Sequence, residues 1–440
     1  MMGTASLLIF PLLLTFLFLG FPVAFSMLAA GAIFGYATFG DAFVFQAMEK
    51  IEDVASNFVL AAVPLFVFMG SMLERSGIAD KLFEAIHLWT RRLPGGLAVG
   101  TVLMCIVFAA SSGVVGATET VIGLLAIPVM MRYRYNKELI VGTICAGGSL
   151  GTIIPPSVVA VVMGPLAQVS VGDLLVGMII PGLIMAGSYV VYILVLCTLK
   201  PEVGPRIPPS SDDPPLAEKL RVTAVALVPP LFLIFAVLGS IMFGWAAPTE
   251  AAALGAAGSV ALTLFYGKFT LRTLHESIMK TLSVSTMIMA ILLGGSIMTG
   301  AFVGSGGIAV TQQLVNAMQL GPWGVMIIVL ILAFIAGFFI DWISIVLILV
   351  PIFAPLLRSQ GVEMAWFCIC LLIVIQTSYL SPPMAPAIFY FRAISPPEIT
   401  TAHMYRGVIP FIVLQLITLA IVLAFPATVL WLPKLLLGPN

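Results

Sequence analysis

Charge is scarce in this 440-residue chain, and the scarcity excludes most classes of soluble protein. Only 9% of the residues are Asp, Glu, Lys or Arg, 61% are hydrophobic, and the mean hydropathy is +1.18. Basic and acidic residues number 19 each, so no net charge points to nucleic acid as a partner. Apolar runs of about 20 residues, long enough to cross a bilayer, recur along the chain. We therefore predict an all-α polytopic membrane protein surrounded by the lipid bilayer, with no nucleic acid partner.

Residue patterns that carry enzymatic chemistry are equally rare. The three histidines lie outside the apolar runs, and the five cysteines lie within them, which is typical of packing residues rather than of a disulfide or zinc framework. The chain contains no HExxH motif, no GxSxG nucleophile elbow and no Walker phosphate loop. We predict that the protein is not an enzyme and that it uses neither ATP nor an organic cofactor.

Two Pro-Pro pairs interrupt long apolar stretches at corresponding places in the two halves of the chain. Pro155-Pro156 lies in AGGSLGTIIPPSVVAVV, and Pro382-Pro383 lies in IVIQTSYLSPPMAPAIF. Because proline has no N–H group, each pair frees backbone carbonyls at mid-depth of a membrane segment. Such a break is tolerated where it lines a cavity or holds an ion, as in secondary transporters. A kink without function is the alternative, but two matching breaks favour a site.

The second half of the chain matches the first at a nearly constant offset close to 227 residues, which indicates an internal repeat. The matching positions besides the Pro-Pro pairs are Pro22 and Pro248, Gly77 and Gly307, Pro94 and Pro322, Pro128 and Pro351, and Pro181 and Pro410. The segment from Lys200 to Leu220 is rich in proline and charge, which is typical of a linker. We therefore predict a first repeat over 1–199, a cytoplasmic linker over 200–221 and a second repeat over 222–440.

Basic residues predict opposite orientations for the two repeats. The loop 75–95 contains four Lys or Arg residues, whereas its counterpart 304–323 contains none. By the positive-inside rule, the cytoplasmic segments are 75–95, 132–137, 200–221, 267–282 and 392–406. The repeats are therefore predicted to have inverted topology, and both termini are predicted to be periplasmic.

Each repeat is predicted to contain about five spans, one of them broken, and a re-entrant hairpin. The predicted spans are 5–20, 21–39, 59–74, 138–168 (broken), 173–199, 222–243, 248–266, 283–303, 363–393 (broken) and 407–430. The predicted hairpins are 97–131 and 325–356. The loop charges place both ends of each segment on the same side of the membrane, and a polar interruption lies in its middle. The segments 80–92 and 268–282 mix charged and apolar residues, so they are either amphipathic arms on the membrane surface or mere connectors.

In this topology each hairpin tip lies opposite a break. The first tip offers hydroxyls and backbone carbonyls at Ser111, Ser112 and Gly113, and the second tip contains Asp341 and Ser344. Freed carbonyls at helix C-termini and hydroxyl oxygens are suitable ligands for Na⁺. Each pair of tip and break therefore forms one candidate cation site.

Three acidic residues lie in apolar surroundings and differ in their predicted roles. An intramembrane carboxylate is costly and marks a functional site by default, so we favour function over local capping for Asp341. For Glu119, a functional role and a place in a polar seam of its own hairpin are equally open. Glu250 follows a proline at a helix start, where an acid complements the helix dipole, so its predicted role is structural.

Four motifs, GVVGATETVIGLLAIPVM, AGGSLGTIIPPS, PTEAAALGA and FIDW, resemble the large (DctM-like) membrane subunit of tripartite ATP-independent periplasmic (TRAP) transporters. The resemblance extends from about residue 5 to 430. It implies sodium-driven uptake of a small organic anion, a carboxylate or a sulfonate, across the bacterial inner membrane. It also implies a scaffold with a mobile elevator domain, and two partners, a small four-helix membrane subunit and a periplasmic substrate-binding protein. Glu119 departs from many relatives, which have smaller residues there.

The resemblance also assigns site residues. It places two Na⁺ sites, the first near Ser111, Ser112, Gly113, Gly148 and Pro155, and the second near Asp341, Thr377, Ser378 and Pro382. We expect the substrate between the hairpin tips and the breaks, at Ser112, Gly116, Thr118, Ser344, Pro156 and Pro383.

Three alternatives remain open at the level of sequence. One is a stand-alone Na⁺-coupled anion symporter of the dicarboxylate type, which needs no partner protein. Another is a channel or a purely structural membrane subunit, although channels rarely need inverted hairpin repeats. An intramembrane enzyme is the least favoured, since the chain offers no catalytic pair.

Overall fold

The computed structural model describes residues 5–112, 116–207, 214–383 and 385–438. Within these ranges the chain forms helices and short connections, with no β-strand. The α-helices, numbered in chain order, are α1 Ile9–Phe18, α2 Val23–Phe39, α3 Ala42–Ala55, α4 Ala62–Arg75, α5 Ile78–Thr90, α6 Gly96–Ser112, α7 Ala117–Arg132, α8 Lys137–Ser149, α9 Val158–Ala167, α10 Val171–Gly177, α11 Ile179–Leu199, α12 Leu216–Met242, α13 Pro248–Phe265, α14 Leu271–Gly304, α15 Gly307–Ala317, α16 Pro322–Ala336, α17 Trp342–Ser359, α18 Met364–Leu380, α19 Pro386–Ile394, α20 Thr401–Ala424 and α21 Ala427–Leu436. Short 3₁₀ turns occupy Ser6–Leu8, Phe58–Ala61 and Leu150–Thr152.

Six helical segments of the described chain are long and apolar enough to cross a membrane, which confirms the polytopic all-α class. They are Phe58–Arg75, Val171–Leu199, Leu216–Met242, Leu271–Gly304, Trp342–Ser359 and Thr401–Ala424. A seventh is obtained if α15 and α16, bent by 118° at their junction, count as one span. Most of the long apolar faces are exposed, as expected where lipid replaces water around the molecule.

Eight of the ten predicted spans were predicted to be uninterrupted and two to be broken, and the structure has fewer uninterrupted spans than these eight. The predicted span 248–266 is the 18-residue helix α13, which is not among the six segments. Five predicted spans coincide with the six segments, and the sixth segment, Trp342–Ser359, is the second arm of a predicted hairpin. The predicted spans 138–168 and 363–393 are each divided at their Pro-Pro pair into two shorter helices. The predicted spans 5–20 and 21–39 contain helices of at most 17 residues, which are short for a bilayer.

The predicted surface arms have different boundaries in the structure. The segment 268–282 was predicted to be separate from the span 283–303, but both belong to the single 34-residue helix α14. That prediction was wrong because no glycine or proline occurs in α14 before Gly294, so nothing in the chain stops the helix. In the first half, by contrast, α3 and α4 are separate helices. Asn57 lies between them, and its side chain accepts a hydrogen bond of 3.1 Å from the Val59 N–H.

Two bundles make up most of the molecule. In the first bundle, α2 and α13 pack against α4 and α14, and in the second bundle, α6 to α9 pack with α16 to α20. The helices α4 and α14 are also joined by charged groups: Lys280 pairs with Glu74, and Arg75 lies 3.5 Å from Glu276. The bundles meet where α17 packs against α14 and where α9 packs against α4.

The two hairpins are packed in a reciprocal way within the second bundle. Hairpin α6–α7 packs against α8, and hairpin α16–α17 packs against α18, so each contacts the first segment of the broken helix in its own half. The second arm of each hairpin also contacts the other half, because α7 packs against α19 and α17 packs against α9. Both hairpins and both breaks are therefore held in one body.

The packing of α5 lowers the pKa of His87. Its ring stacks on Phe83 with centroids 5.7 Å apart. Burial, followed by the nearby charge of Arg91, lowers the pKa of His87 to about 4 from 6.5. His87 binds a proton less readily in the folded protein than in the unfolded chain. The free energy of unfolding therefore decreases as the pH falls from 6.5 towards 4. The pKa shift corresponds to a loss of at most about 3 kcal/mol in the free energy of unfolding. Solvent screening reduces this loss to about 1 kcal/mol, because the site is partly exposed.

We therefore expect the His87→Gln variant to lose less stability than the wild type between pH 7 and pH 5. The measurement is the apparent unfolding temperature of the purified protein in detergent at both pH values. If the unfolding temperature decreased equally in the two proteins, the burial of His87 would not contribute to the pH dependence of stability.

Candidate substrate and cation site

The two broken helices end in the same way at the middle of the second bundle. α8 ends at Ser149 and α9 begins only at Val158, while α18 ends at Leu380 and α19 begins at Pro386. Both Pro-Pro peptide bonds, Pro155-Pro156 and Pro382-Pro383, are cis. The next helix does not continue from either end, so each C-terminus turns its partial negative charge towards the break.

Asp341 begins the second arm of hairpin α16–α17 as its N-cap residue. Its Oδ2 atom accepts a hydrogen bond of 3.0 Å from the Ile343 N–H, and its Oδ1 atom accepts one of 2.5 Å from the Ser344 hydroxyl. The local capping role considered at the sequence level is therefore present. The carboxylate can still accept another partner, because each oxygen has a second lone pair.

Glu119 has a related place in the other hairpin. It is the third residue of α7, it is fully buried, and its Oε2 atom accepts a hydrogen bond of 2.7 Å from the Gly116 N–H. Its Oε1 atom lies near the hydroxyl of Tyr379 on α18, and neither atom has another hydrogen-bond partner among the described residues. Glycine at 148 makes room for the carboxylate, since a Cβ atom there would lie 2.4 Å from Glu119 Cγ. Each hairpin thus has a carboxylate where its second arm begins, at the N-cap of α17 and in the first turn of α7.

A cavity of about 540 Å³, the central cavity, lies between the two bundles. The first bundle lines it with Pro22, Val23, Ala24, Val67, Val284, Met287, Ile288 and Ile291. The second bundle lines it with Thr152, Val158, Val159, Gly337, Ile340, Asp341, Trp342, Ile343, Ile345, Ile375, Ser378, Tyr379, Pro386 and Tyr390. No Lys, Arg or His side chain is among the described residues that line it.

Three helices present their N-termini to the central cavity. Val158 and Val159 are the first residues of α9, Trp342 and Ile343 are the first of α17, and Pro386 is the first of α19. Neither α9 nor α19 has a side-chain hydrogen bond at its N-cap, so their first N–H groups are not occupied by a capping side chain. Helix N-termini carry partial positive charge and unpaired N–H donors, and together these bind anions without any basic residue. The cavity can therefore accept an anionic group at its second-bundle wall.

The two breaks are linked directly by one side-chain pair. The Gln376 amide donates a hydrogen bond of 3.2 Å to the Ser149 hydroxyl, and both residues are fully buried. The two positions are 227 residues apart, which is the offset of the internal repeat. The Gln415 amide lies 3.5 Å from the same hydroxyl. Sequence reasoning missed this pair, although its offset is a signal that could have found it.

The structure brings together part of the predicted second cation site. Asp341 and Ser378 both line the central cavity, and Gly337 in the hairpin packs directly on Ser378. The hydroxyls of Thr377 and Ser378 donate to the Ile373 and Ile375 carbonyls at 2.8 Å, which leaves their oxygen lone pairs available. Pro382, by contrast, is exposed.

The predicted first cation site is described only in part. The side chains of Ser111 and Ser112, at the end of α6, and the whole of Gly113 lie outside the described residues. Gly148 and Pro155 are buried, and Gly148 contacts the Glu119 side chain.

None of the described residues predicted for the substrate is on the wall of the central cavity. The side chain of Ser112 lies outside the described residues. Thr118, Pro156 and Ser344 are buried, and Pro383 is exposed. Gly116 lies against the ring of Tyr390, which does line the cavity. Sequence reasoning missed Trp342, Tyr379 and Tyr390 and the whole first-bundle wall, because aromatic and aliphatic residues are not distinctive in a chain that is 61% hydrophobic.

The fold is that of known membrane transporters. It is similar to the structure of the Alcanivorax borkumensis YdaH transporter, with a TM-score of 0.63 at 14% identity over 99% of both chains. It is also similar to MtrF of Neisseria gonorrhoeae, with a TM-score of 0.60 at 15% identity over 87% of this chain and 83% of that one. At such low identities the likeness concerns the fold alone. The architecture defines a multi-pass membrane protein of transporter fold.

The sequence identifies the family within that class. It matches the family described as "Tripartite ATP-independent periplasmic transporter, DctM component" over residues 10–428. It is 30% identical over 393 residues to the C4-dicarboxylate TRAP transporter large permease protein DctM of Pseudomonas aeruginosa, with 88% of each chain covered. It is 28% identical to the ectoine/5-hydroxyectoine TRAP transporter large permease protein UehC of Ruegeria pomeroyi, covering 97% of this chain and 98% of that one. It is 27% identical to the sialic acid TRAP transporter large permease protein SiaM of Vibrio cholerae, covering 96% and 97%.

The chain belongs to the DctM component family of TRAP transporters, whose members are large permease subunits. The resemblance noted in the sequence motifs is thereby confirmed.

Proposed function

We propose that the protein is the large permease subunit of a sodium-driven TRAP-type secondary transporter. It imports a small organic anion, a carboxylate or a sulfonate, which a periplasmic binding protein delivers. The observation that carries the proposal is the convergence of two helix N-termini without a capping side chain, those of α9 and α19, on a central cavity that no described basic side chain lines. Transporters bind anionic substrate groups at the N-termini of broken helices in the same way. The relatives' names, which specify a C4-dicarboxylate, ectoine and sialic acid, agree with a small charged organic substrate.

Transport in this proposal is an elevator movement of the second bundle against the first. The two bundles are the mobile and the scaffold parts, and the halves of the chain are inverted-topology repeats in the bacterial inner membrane with periplasmic termini. Three observations support it: the paired breaks, the reciprocal packing of the hairpins within one body, and a cavity whose walls come from both bundles. The opposite loop charges of the repeats support the inverted topology.

Sodium is proposed to bind at two places in the second bundle. The first site combines the tip at Ser111, Ser112 and Gly113 with Gly148 and Pro155 of the break. The second combines Asp341 with Thr377, Ser378 and Pro382. The second site has the better support, because Asp341 supplies a negative charge and lines the same cavity as Ser378. A cation there would add positive charge to the wall at which the anion binds.

The partners proposed are a small four-helix membrane subunit and a periplasmic substrate-binding protein. The test is uptake into proteoliposomes that contain this chain and both partners, with the anion that the binding protein recognises. We expect an inward Na⁺ gradient to drive accumulation, and a K⁺ gradient of equal size to drive none. Accumulation that is the same without Na⁺ would contradict sodium coupling. Full transport by this chain alone would instead favour the stand-alone symporter.

A further inference from the structure

We infer that the anion carried by this permease has a single anionic group at one end and an apolar body. The inference rests on the proposed function, because it takes the central cavity as the substrate site. It goes further by naming the class of substrate: a monocarboxylate or monosulfonate with a branched aliphatic or an aromatic body, rather than a dicarboxylate or a polyhydroxylated sugar acid.

The walls of the central cavity differ in character. Every lining residue from the first bundle is apolar, and this wall includes Val67, Met287, Ile288 and Ile291. The polar lining residues, which are Thr152, Asp341, Ser378, Tyr379 and Tyr390, all belong to the second bundle, as do the three helix N-termini. An anion bound with its charge at the N-termini therefore has its body against the first bundle, where only apolar contact is available.

A second carboxylate on the substrate would be poorly accommodated at the first-bundle wall. A buried charge that lacks a partner of opposite sign costs several kcal/mol, and no Lys, Arg or His is among the described lining residues. Asp341, the one charged residue among the described lining residues, belongs to the second-bundle wall and offers no positive partner to a second carboxylate. The cavity thus favours one negative group over two.

Substrate hydroxyl groups that face the first bundle would also lack partners. The lining hydroxyls of Thr152, Ser378, Tyr379 and Tyr390 all belong to the second bundle. Each hydroxyl of a sugar acid that is buried against Val and Ile without a hydrogen bond costs about 1–3 kcal/mol. An alkyl or aryl group at the same place gains about 25 cal/mol for each Å² of apolar area removed from water. The cavity volume of about 540 Å³ lies within the usual range for small-molecule sites.

Binding to the purified full-length permease tests the inference without the selectivity of a binding protein. The probes are 4-methyl-2-oxopentanoate, phenylacetate, succinate and gluconate, each added at equal concentration in the presence of Na⁺, with the apparent unfolding temperature as the readout. We expect 4-methyl-2-oxopentanoate and phenylacetate to stabilise the protein, and succinate and gluconate to have no effect. Equal or greater stabilisation by succinate or gluconate would overturn the inference, and so would the absence of stabilisation by either apolar anion.

Two methionines on α14 provide a matched pair of variants. Met287 lines the central cavity, whereas Met279 lies about 12 Å further towards the start of α14 and does not, and their exposed fractions are 53% and 52%. Met287→Gln should weaken binding about fivefold to tenfold for the apolar anion that stabilises the wild type more, because a polar amide then faces the substrate body. Met279→Gln should leave the affinity unchanged. Equal affinities for the two variants would overturn the assignment of this wall to the substrate body.

The same assay separates this inference from the proposed function. Stabilisation by Na⁺ alone, without any anion, tests whether the protein binds sodium. If Na⁺ stabilises the protein and succinate is the preferred anion, the inference fails while the proposed function stands. If Na⁺ has no effect and no partner-dependent uptake occurs, the proposed function itself fails.

Discussion

Replacing Asp341 by Asn is expected to raise the Na⁺ concentration needed for half-maximal uptake at least tenfold, with little change in the stability of the protein. The reason is that the carboxylate has two separable roles. As the N-cap of α17 it accepts the Ile343 N–H at 3.0 Å, and asparagine caps a helix about as well as aspartate. As a proposed cation ligand it supplies the negative charge that Na⁺ requires, and asparagine lacks this charge. The measurement is the initial uptake rate against Na⁺ concentration in proteoliposomes with both partner proteins.

Two further variants separate the roles of Asp341. Asp341→Ala removes both the charge and the cap, so it should reproduce the loss of sodium dependence and also lower stability by about 1 kcal/mol. Ser344→Ala removes only the hydroxyl that donates to Asp341 Oδ1, so its effect on sodium dependence should be smaller. If Asp341→Asn left the sodium dependence of uptake unchanged, Asp341 would be only a helix cap, and the second proposed sodium site would have to be abandoned.

Much of the fold could be predicted because its special features are local in sequence. The Pro-Pro pairs at 155–156 and 382–383 stand beside Gly, Ser and Thr residues, and each follows the end of a helix, α8 or α18. A Pro-Pro pair alone does not end a helix, because Pro229-Pro230 lies inside α12. The interruption near Asp341 likewise marks the junction of α16 and α17. The extent of α14 could not be predicted from charge alone. Arg272, Glu276 and Lys280 suggested a segment on the membrane surface, yet in the structure they continue a helix that becomes apolar further along.

The candidate site was predictable only where a residue is unusual in its surroundings. Asp341 is distinctive because a carboxylate is rare in an apolar segment. The cavity wall formed by Val67, Met287 and Ile288 is not distinctive, since any of these residues could equally face lipid. Their role depends on how α4 and α14 pack against each other and against the second bundle, which is a matter of contacts between residues distant in the chain. Sequence periodicity cannot supply such contacts.

Both hairpins use a carboxylate at the start of their second arm, but the two carboxylates are in different environments. Asp341 is partly exposed and lines the central cavity, whereas Glu119 is fully buried and contacts Gly148. The bond to Gly116 lies within the hairpin of Glu119, and the contacts with Gly148 and Tyr379 extend outside it. The difference explains why Asp341 is the better candidate for a ligand that must exchange with solvent during a transport cycle.

Gly337 is the position at which a single methyl group should have the largest steric effect on transport. Its φ of −64° is one that any residue adopts, so glycine is not needed for the backbone. It is needed for space, because a Cβ atom at 337 would lie 2.1 Å from Ser378 Oγ and 2.4 Å from Ser378 Cβ. Rotating the serine hydroxyl does not relieve the second contact, so the hairpin must move away from α18. We expect Gly337→Ala to reduce Na⁺-dependent uptake at least tenfold and to lower stability by about 1–3 kcal/mol.

Gly187 on α11 is the matched control, since a Cβ atom there would meet nothing within 4 Å. Gly187→Ala should leave uptake unchanged and raise stability by up to about 1 kcal/mol, because alanine is the better helix former. The double variant Gly337→Ala, Ser378→Gly restores the missing space while removing the serine oxygen. If Ser378 binds sodium, this double variant should recover stability without recovering sodium-dependent uptake. Recovery of both would show that the contact between Gly337 and Ser378 matters only for packing, and Ser378 would no longer be a candidate ligand.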